Sequence, residues 1–191
     1  EELKMGLSGL NQYALDKELE LNSLACTVIV VIHAPFGLLV THIGDGRAGF
    51  CNENGEWCSA ITPHKGEEAN QTVFLTSYQW IKNETLLMSG VNVPESRVIN
   101  QKVTAFTLMS DGCEQHSFEC SRFDTLSGQW SDPNLPYPKF FNPLVSQLKT
   151  MATFSKTDLD IKNNWLLFLE GGTKGLKHES DDKTLILGVL V

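Results

Sequence analysis

Three aspartates each stand at the end of an apolar, strand-like stretch of the sequence. Asp111 follows the apolar or β-branched segment 103–110, Asp45 lies between two short apolar segments, and Asp181, beside Asp182, precedes the apolar C-terminal segment. A carboxylate at the end of a buried strand is costly to desolvate unless a positive group meets it, so Asp111 either caps the next turn or binds a cation. Together the three acids are the oxygen donors that Mg²⁺ and Mn²⁺ prefer. The sequence therefore predicts a site for hard divalent cations.

The segments around these aspartates carry a resemblance to a known family. The matching segments are Ala25–Ile32 (ACTVIVVI), Ile43–Ala48 (IGDGRA), Gly66–Asn70 (GEEAN), Thr72–Thr76 (TVFLT), Leu108–Gly112 (LMSDG) and Asp181–Leu185 (DDKTL). No single segment is specific, but their occurrence in one order is. The sequence resembles the metal-dependent protein phosphatases of the 2C type (PP2C), and especially their bacterial branch.

The resemblance implies a fold, an activity and a set of site residues. The fold would be an αββα sandwich of two mainly antiparallel sheets flanked by helices. The activity would be hydrolysis of phosphoserine and phosphothreonine in a phosphoprotein substrate, through a water activated at a binuclear Mg²⁺ or Mn²⁺ site. Asp111 and Asp181 would be the catalytic metal ligands and Asp45 would line a site for a third ion. Asp182 would orient its neighbour or water, and Gly46 and Gly112 would let backbone segments approach closely.

The resemblance also implies differences from the family. The family's first strands carry a phosphate-binding Arg and an Asp-Gly metal turn, and neither occurs here, so we expect the C-terminal two-thirds of the fold, incomplete at its N-terminus and inactive alone. Gln115 takes the position of a second acid. Two hypotheses remain: an active Ser/Thr phosphatase domain, or a catalytically silent binding or regulatory module. An Asp-Gly turn upstream of residue 1 would favour the first.

Bulk properties narrow the class of protein. The chain has 191 residues, 41% of them hydrophobic, which is enough to form one domain, 1–191, with its own core. A net charge of −8 argues against nucleic-acid or anionic membrane partners, and no segment resembles a signal peptide or a membrane span. The five cysteines lack the spacing of a zinc site, even though Cys51 and Cys58 flank a hairpin turn, so a reducing, cytoplasmic location is expected. The sequence makes no prediction of oligomeric state.

The periodicity predicts the elements that must position the aspartates. Read without the resemblance, the pattern gives only a mixed α+β, mostly antiparallel domain. The predicted elements, in chain order, are a helix over 1–20, a four-strand meander over 25–61, a surface loop over 62–71, a short strand over 73–76, a central strand over 103–110, a short helix and irregular loop over 114–137, a helix over 140–151, a helix from Thr157 or Asp158 to Gly171, a loop over 173–179 and a central strand over 183–191. His116 and His178 are expected to be exposed loop residues.

Overall fold

The computed structural model describes residues 2–66, 72–77, 80, 82, 86–154 and 157–190. Its helices are α1 (Glu2–Asp16), α2 (Glu114–Ser117), α3 (Pro138–Thr153), α4 (Asp158–Gly171) and α5 (Lys174–His178), with 3₁₀ turns at Leu21–Leu24 and Asp111–Cys113. No helix in these ranges is long and apolar enough to cross a bilayer.

Thirteen short strands are described. They are β1 (Val28–Ala34), β2 (Gly37–Ile43), β3 (Arg47–Asn52), β4 (Trp57–Ser59), β5 (Leu86–Met88), β6 (Val91–Val93), β7 (Glu95–Ile99), β8 (Val103–Met109), β9 (Phe118–Glu119), β10 (Arg122–Asp124), β11 (Gln129–Ser131), β12 (Leu135–Pro136) and β13 (Leu185–Val189). Every pairing among them is antiparallel.

Two sheets pack face to face. One has the strand order β1-β2-β7 and the other has the order β13-β8-β3-β4. A buried apolar cluster joins them, with Leu38 and Ile99 from the first sheet and Ala48, Phe50 and Val103 from the second. This α+β arrangement of two antiparallel sheets with helices outside confirms the predicted fold class.

The predicted four-strand meander over residues 25–61 is wrong. Its strands exist, but β2 pairs with β1 and β7, whereas β3 pairs with β4 and β8. The turn between β2 and β3 therefore crosses from one sheet to the other. Apolar runs separated by a short turn give the same sequence signal whether the strands pair or not, and only the packing of both sheets decides between them.

The helices pack on the sheets through apolar side chains. Phe141 of α3, Leu169 of α4 and Leu176 of α5 form a cluster against the outer face of β8 and β13. Helix α4 begins at a capping box, in which the Thr157 side chain and Asp160 exchange hydrogen bonds with each other's backbone N–H. Leu3 and Leu7 of α1 pack at one end of the smaller sheet.

Several other predictions need correction. The region 114–137 holds the helix α2 and four short strands rather than an irregular loop, and residues 173–179 contain α5. No strand covers 73–76, and β13 lies at the edge of its sheet rather than at its centre. The loop prediction for 62–71 falls partly on residues 67–71, which lie outside the described residues.

Candidate metal centre

The register of the larger sheet brings the three predicted aspartates to one end of it. Met109, the last residue of β8, is opposite Arg47 of β3 on one side and Leu185 of β13 on the other. Asp111 follows Met109 by two residues, Asp45 precedes Arg47 by two, and Asp181 precedes Leu185 by four. Because neighbouring strands are antiparallel, all three positions lie beyond the same end of the strands. We call Asp45, Asp111 and Asp181 the aspartate end.

Two glycines allow the backbone segments of the aspartate end to approach closely. A Cβ atom at Gly46 would lie 2.7 Å from the carbonyl oxygen of Met109, and one at Gly112 would lie 2.5 Å from the carbonyl oxygen of Asp182. The Gly112 position is also 3.3 Å from Cβ of Asp181, so the Asp111–Gly112 turn lies directly against the Asp181–Asp182 segment. Any larger residue at either glycine would push two of the aspartates apart, as the resemblance implies.

The aspartate end gathers carboxylate side chains. Burial raises the pKa of the Asp45 carboxyl, and the charges of Asp111 and Glu114 raise it further against the opposing effects of its own backbone N–H and of Lys65. Asp111 is exposed and its Oδ1 accepts from the N–H of Gly112. In the described part of the chain, no basic side chain forms an ion pair with any of the three aspartates.

This donor chemistry fits a hard cation. Ionised carboxylates offer oxygen atoms only, and Mg²⁺ and Mn²⁺ prefer oxygen ligands while retaining several waters. Like charges gathered at one strand edge cost free energy, and a divalent cation is the group that relieves it. The residues that would hold the ion are Asp111 and Asp181, with Asp45 on the adjoining side.

A buried arginine fixes the start of β3 beside the aspartate end. The side chain of Arg47 is fully buried, donates from Nε to Glu114 at 2.8 Å, and binds both carboxylate oxygens of Asp132 at 2.6 and 3.1 Å. Lys65, 39% exposed, contacts Glu114 at 3.1 Å and Asp132 at 3.6 Å. Burial opposes the charge of Arg47, but hydrogen bonds and the charges of Asp132 and Glu114 raise its pKa overall. We call these four residues the arginine cluster.

Sequence reasoning missed the role of Glu114. The resemblance puts the family's second acid at the position of Gln115, which is exposed on α2, whereas the acid near Asp45 is Glu114, one residue earlier. The signal was present as a carboxylate three residues after Asp111 in a short helical turn. Glu114 is occupied by Arg47 and Lys65, so it serves to hold the neighbouring elements together.

A second set of metal-type donors lies in the core. One ligand atom from each of His42, His64 and Glu95 lies within 4.8 Å of the other two, and all three residues are buried. Nε2 of His42 is 2.9 Å from Oε2 of Glu95, and that oxygen also accepts from the backbone N–H of Thr62 at 2.7 Å. Arg97 donates to the other oxygen of Glu95. We call His42, His64 and Glu95 the histidine cluster.

The geometry of the histidine cluster is that of a hydrogen-bonded core network. The rings of His42 and His64 are stacked, with centroids 4.1 Å apart and planes 11° from parallel. Imidazole binds a metal through an in-plane lone pair at about 2.0–2.1 Å, so two nearly parallel stacked rings do not direct their lone pairs at one ion. Both nitrogens of His64 have partners at 3.2 Å, the N–H of Gly44 and the carbonyl of Asn92. Nδ1 of His42 is buried and has no partner among the described residues.

The titration of the cluster follows from its burial. Desolvation, with the adjacent His42 ring, lowers the pKa of His64 to about 4, so His64 is neutral at pH 7. Burial opposes the ionisation of Glu95, but hydrogen bonds from His42 and Thr62 and the charge of Arg97 lower its pKa overall. A neutral His64 accepts the Gly44 N–H and thereby supports the turn that carries Asp45.

The remaining candidate groups lie outside the aspartate end. Nε2 of His116 is 3.3 Å from Glu179, and its ring packs against Gly175 of α5, so it joins two helices rather than lying in a loop. His178 is exposed, as predicted, but at the end of α5. An apolar cavity of about 270 Å³ between α3 and α4 is lined by no ionisable residue, and it carries no acid–base or metal chemistry.

Comparisons with known proteins agree with this architecture. Residues 2–160 match the family model described as protein phosphatase 2C. The chain is 30% identical over 175 residues to serine/threonine-protein phosphatase 3 of Escherichia coli (strain K12), an alignment that covers 91% of this chain and 58% of that protein. The chain thus spans less than two thirds of the length of this relative. No solved structure gave a significant match. The family match over most of the chain shows that this protein belongs to the protein phosphatase 2C family.

Proposed function

We propose that this protein hydrolyses phosphoserine and phosphothreonine in protein substrates with Mg²⁺ or Mn²⁺ bound at the aspartate end. The observation that supports this most is the register of β3, β8 and β13, which gathers Asp45, Asp111 and Asp181 at one end of these strands. The absence of a basic partner for these carboxylates within the described residues adds to it, because their charge is left for a cation.

The roles of the chain's own residues follow from their positions. Asp111 and Asp181 hold the cation with charged oxygen atoms, and Asp45 borders the site of a further ion. The cation, when bound, lowers the pKa of water and neutralises charge on the phosphoryl group. Gly46 and Gly112 keep the ligand-bearing segments in contact, and the arginine cluster holds the start of β3 in place.

The partner and location follow from charge and cysteine chemistry. A net charge of −8 favours a protein substrate over a nucleic acid. All five cysteines are free thiols, which is the state expected in a reducing compartment, so we propose a cytoplasmic location.

A phosphatase assay of the full-length natural protein tests the proposal. Hydrolysis of p-nitrophenyl phosphate and of a phosphothreonine peptide is expected to require Mn²⁺ or Mg²⁺, to stop on addition of EDTA and to return with excess metal. Asp181→Asn is expected to abolish it, whereas Asp16→Asn, which removes an exposed aspartate at the end of α1, is expected to leave it unchanged. A folded protein that is inactive with every divalent metal would favour the silent binding module.

A further inference from the structure

The strands β10 and β11 form a hairpin whose side chains are all exposed. Neither face packs on the described core, and large apolar side chains are exposed: Leu126 at the tip is 97% exposed, and Trp130 and Phe123 in the strands are 70% and 46% exposed. Phe123 is opposite Trp130, with ring centroids 5.1 Å apart, so the two rings form one surface. We call this element the aromatic hairpin.

The C-terminal end of the aromatic hairpin is attached to the arginine cluster. Asp132 directly follows β11 and binds Arg47 through both carboxylate oxygens. Asn134 accepts from the Arg47 side chain at 2.7 Å and donates to the carbonyl of Ile61 at 2.7 Å. The base of the hairpin is therefore fixed beside the turn that carries Asp45.

The attachment places the aromatic pair close to the candidate active site. Trp130 precedes Asp132 by two residues, and a strand rises about 3.3 Å per residue, so the Trp130 backbone lies within about 7 Å of that of Asp132. Leu126 at the tip extends at most about 20 Å from Asp132 by the same rise. Arg47, which binds Asp132, lies two residues after Asp45, so the hairpin starts beside the segment that carries Asp45.

The charged groups of the hairpin are already occupied by local partners. Arg122 makes two hydrogen bonds of 2.7 Å to the carboxylate of Glu119. Asp124 accepts from the Ser127 hydroxyl at 2.7 Å and from the backbone N–H of Leu126 at 2.9 Å. What the hairpin offers a partner is therefore apolar and aromatic surface rather than charge.

We propose that Phe123, Leu126 and Trp130 dock the polypeptide of the phosphoprotein substrate through apolar residues flanking its phosphoserine or phosphothreonine. This inference rests on the proposed function and names the feature of the substrate that the site selects. Exposed tryptophan in a rigid setting is the residue type that most often dominates binding at a protein interface. A small phosphate ester has no flanking residues and does not reach the hairpin.

Kinetics with two substrate sizes tests the docking site in the full-length protein with Mn²⁺. The first substrate is a phosphothreonine peptide with Leu and Phe at the flanking positions. For this peptide, Trp130→Ala and Leu126→Ser are each expected to lower kcat/KM about 10-fold, mainly by raising KM, because an interface hot spot contributes at least this much. Hydrolysis of p-nitrophenyl phosphate is expected to change less than about twofold, as is hydrolysis of the same peptide with Gly and Ser flanks. Val98→Ala is the matched control, at a side chain that is 66% exposed on β7 of the β1-β2-β7 sheet, and is expected to leave the hydrolysis of all three substrates unchanged.

Three results would overturn the docking site. The first is an unchanged kcat/KM for the apolar-flanked peptide in both variants. The second is an equal loss on p-nitrophenyl phosphate, which would mean that the hairpin supports the fold of the site. The third is a dimeric wild type that Leu126→Ser makes monomeric in sedimentation, because the tip would then bind a second copy.

A binding measurement separates this inference from the proposed function. If the wild type hydrolyses neither substrate, the proposed function fails, and the affinity of the fluorescein-labelled apolar-flanked phosphopeptide still tests the hairpin by fluorescence anisotropy. Docking predicts about 10-fold weaker binding by Trp130→Ala than by Val98→Ala. Equal affinities would overturn it.

Discussion

The aspartate end and the histidine cluster contain the donor types of a metal site, yet they are built in opposite ways. At the aspartate end, burial and the charges of Asp111 and Glu114 raise the pKa of Asp45, and none of the three carboxylates has an ion-pair partner among the described residues. In the histidine cluster, buried rings are stacked and Glu95 receives hydrogen bonds from His42, Thr62 and Arg97. The difference teaches that donor type alone does not make a metal site. A metal site also needs charge that is not already paired and lone pairs that point at one ion, and the stacked rings of the histidine cluster do not meet the second condition.

The comparison predicts the largest effect for Asp111→Asn. The substitution keeps the side-chain shape but removes the charge that holds the cation, so metal-dependent phosphatase activity of the full-length protein is expected to fall about 10³-fold or more. The melting temperature without metal is expected to stay the same or to rise slightly, because like-charge repulsion with Asp45 is relieved. Near-normal turnover in an active parent would show that the two-metal mechanism is wrong for this protein.

The opposite behaviour is expected of Glu95→Gln. The amide cannot accept from His42, Thr62 and Arg97 as the carboxylate does, so the free energy of unfolding is expected to fall by about 1–3 kcal/mol. Chemical denaturation measures this loss. The manganese concentration that gives half-maximal activity is expected to stay unchanged below the melting temperature. An increase of that concentration without a loss of stability would make the histidine cluster a metal site.

The pH dependence of stability sharpens the comparison further. The folded pKa of His64, about 4, lies below the ordinary histidine value of 6.5, so the unfolded chain binds the proton first. The contribution of neutral, buried His64 to the free energy of unfolding is therefore complete above about pH 6.5. Up to roughly 3 kcal/mol of it is lost as the pH falls toward 4. His64→Asn keeps an acceptor for the Gly44 N–H and removes the titration, so its denaturation midpoint is expected to vary less between pH 7 and pH 4.5. Equal slopes in both proteins would contradict this account.

The smallest effect is expected for Asp45→Asn without metal. Burial and the charges of Asp111 and Glu114 raise the pKa of Asp45, so its ionised form destabilises the fold at neutral pH. The substitution is expected to raise thermal stability slightly at neutral pH, within the roughly 0.5 kcal/mol typical of surface substitutions. Below the Asp45 pKa the wild-type carboxyl is itself neutral, so this gain is expected to disappear. Calorimetry at pH 7.5 and at pH 3.5 measures both. A clear loss of stability at pH 7.5 would mean that Asp45 has a structural partner.

The positions of the three aspartates at strand ends can be predicted because their signals are local. Asp45, Asp111 and Asp181 each lie beside an apolar strand, and antiparallel pairing of those strands brings their ends together. The close approach at Gly46 and Gly112 also follows from residue type. Their metal-binding role itself remains a prediction.

The rest could not be predicted because it depends on which strands pair. Glu95 reaches His42 through the pairing of β2 with β7, across 53 positions of sequence, and His64 joins them from a loop that the sequence marks as polar surface. Asp132 reaches Arg47 across 85 positions through a side-chain ion pair. Contacts of this kind leave no local periodicity.

The most direct test of the central claim is a pulsed electron paramagnetic resonance spectrum of Mn²⁺ bound to the full-length protein. Ligation at the aspartate end predicts oxygen ligands, no coupling to a directly bound imidazole nitrogen, and loss of the bound signal in Asp111→Asn but not in Glu95→Gln. Nitrogen coupling that disappears in His42→Gln, with binding retained by Asp111→Asn, would place the ion in the histidine cluster and contradict the account.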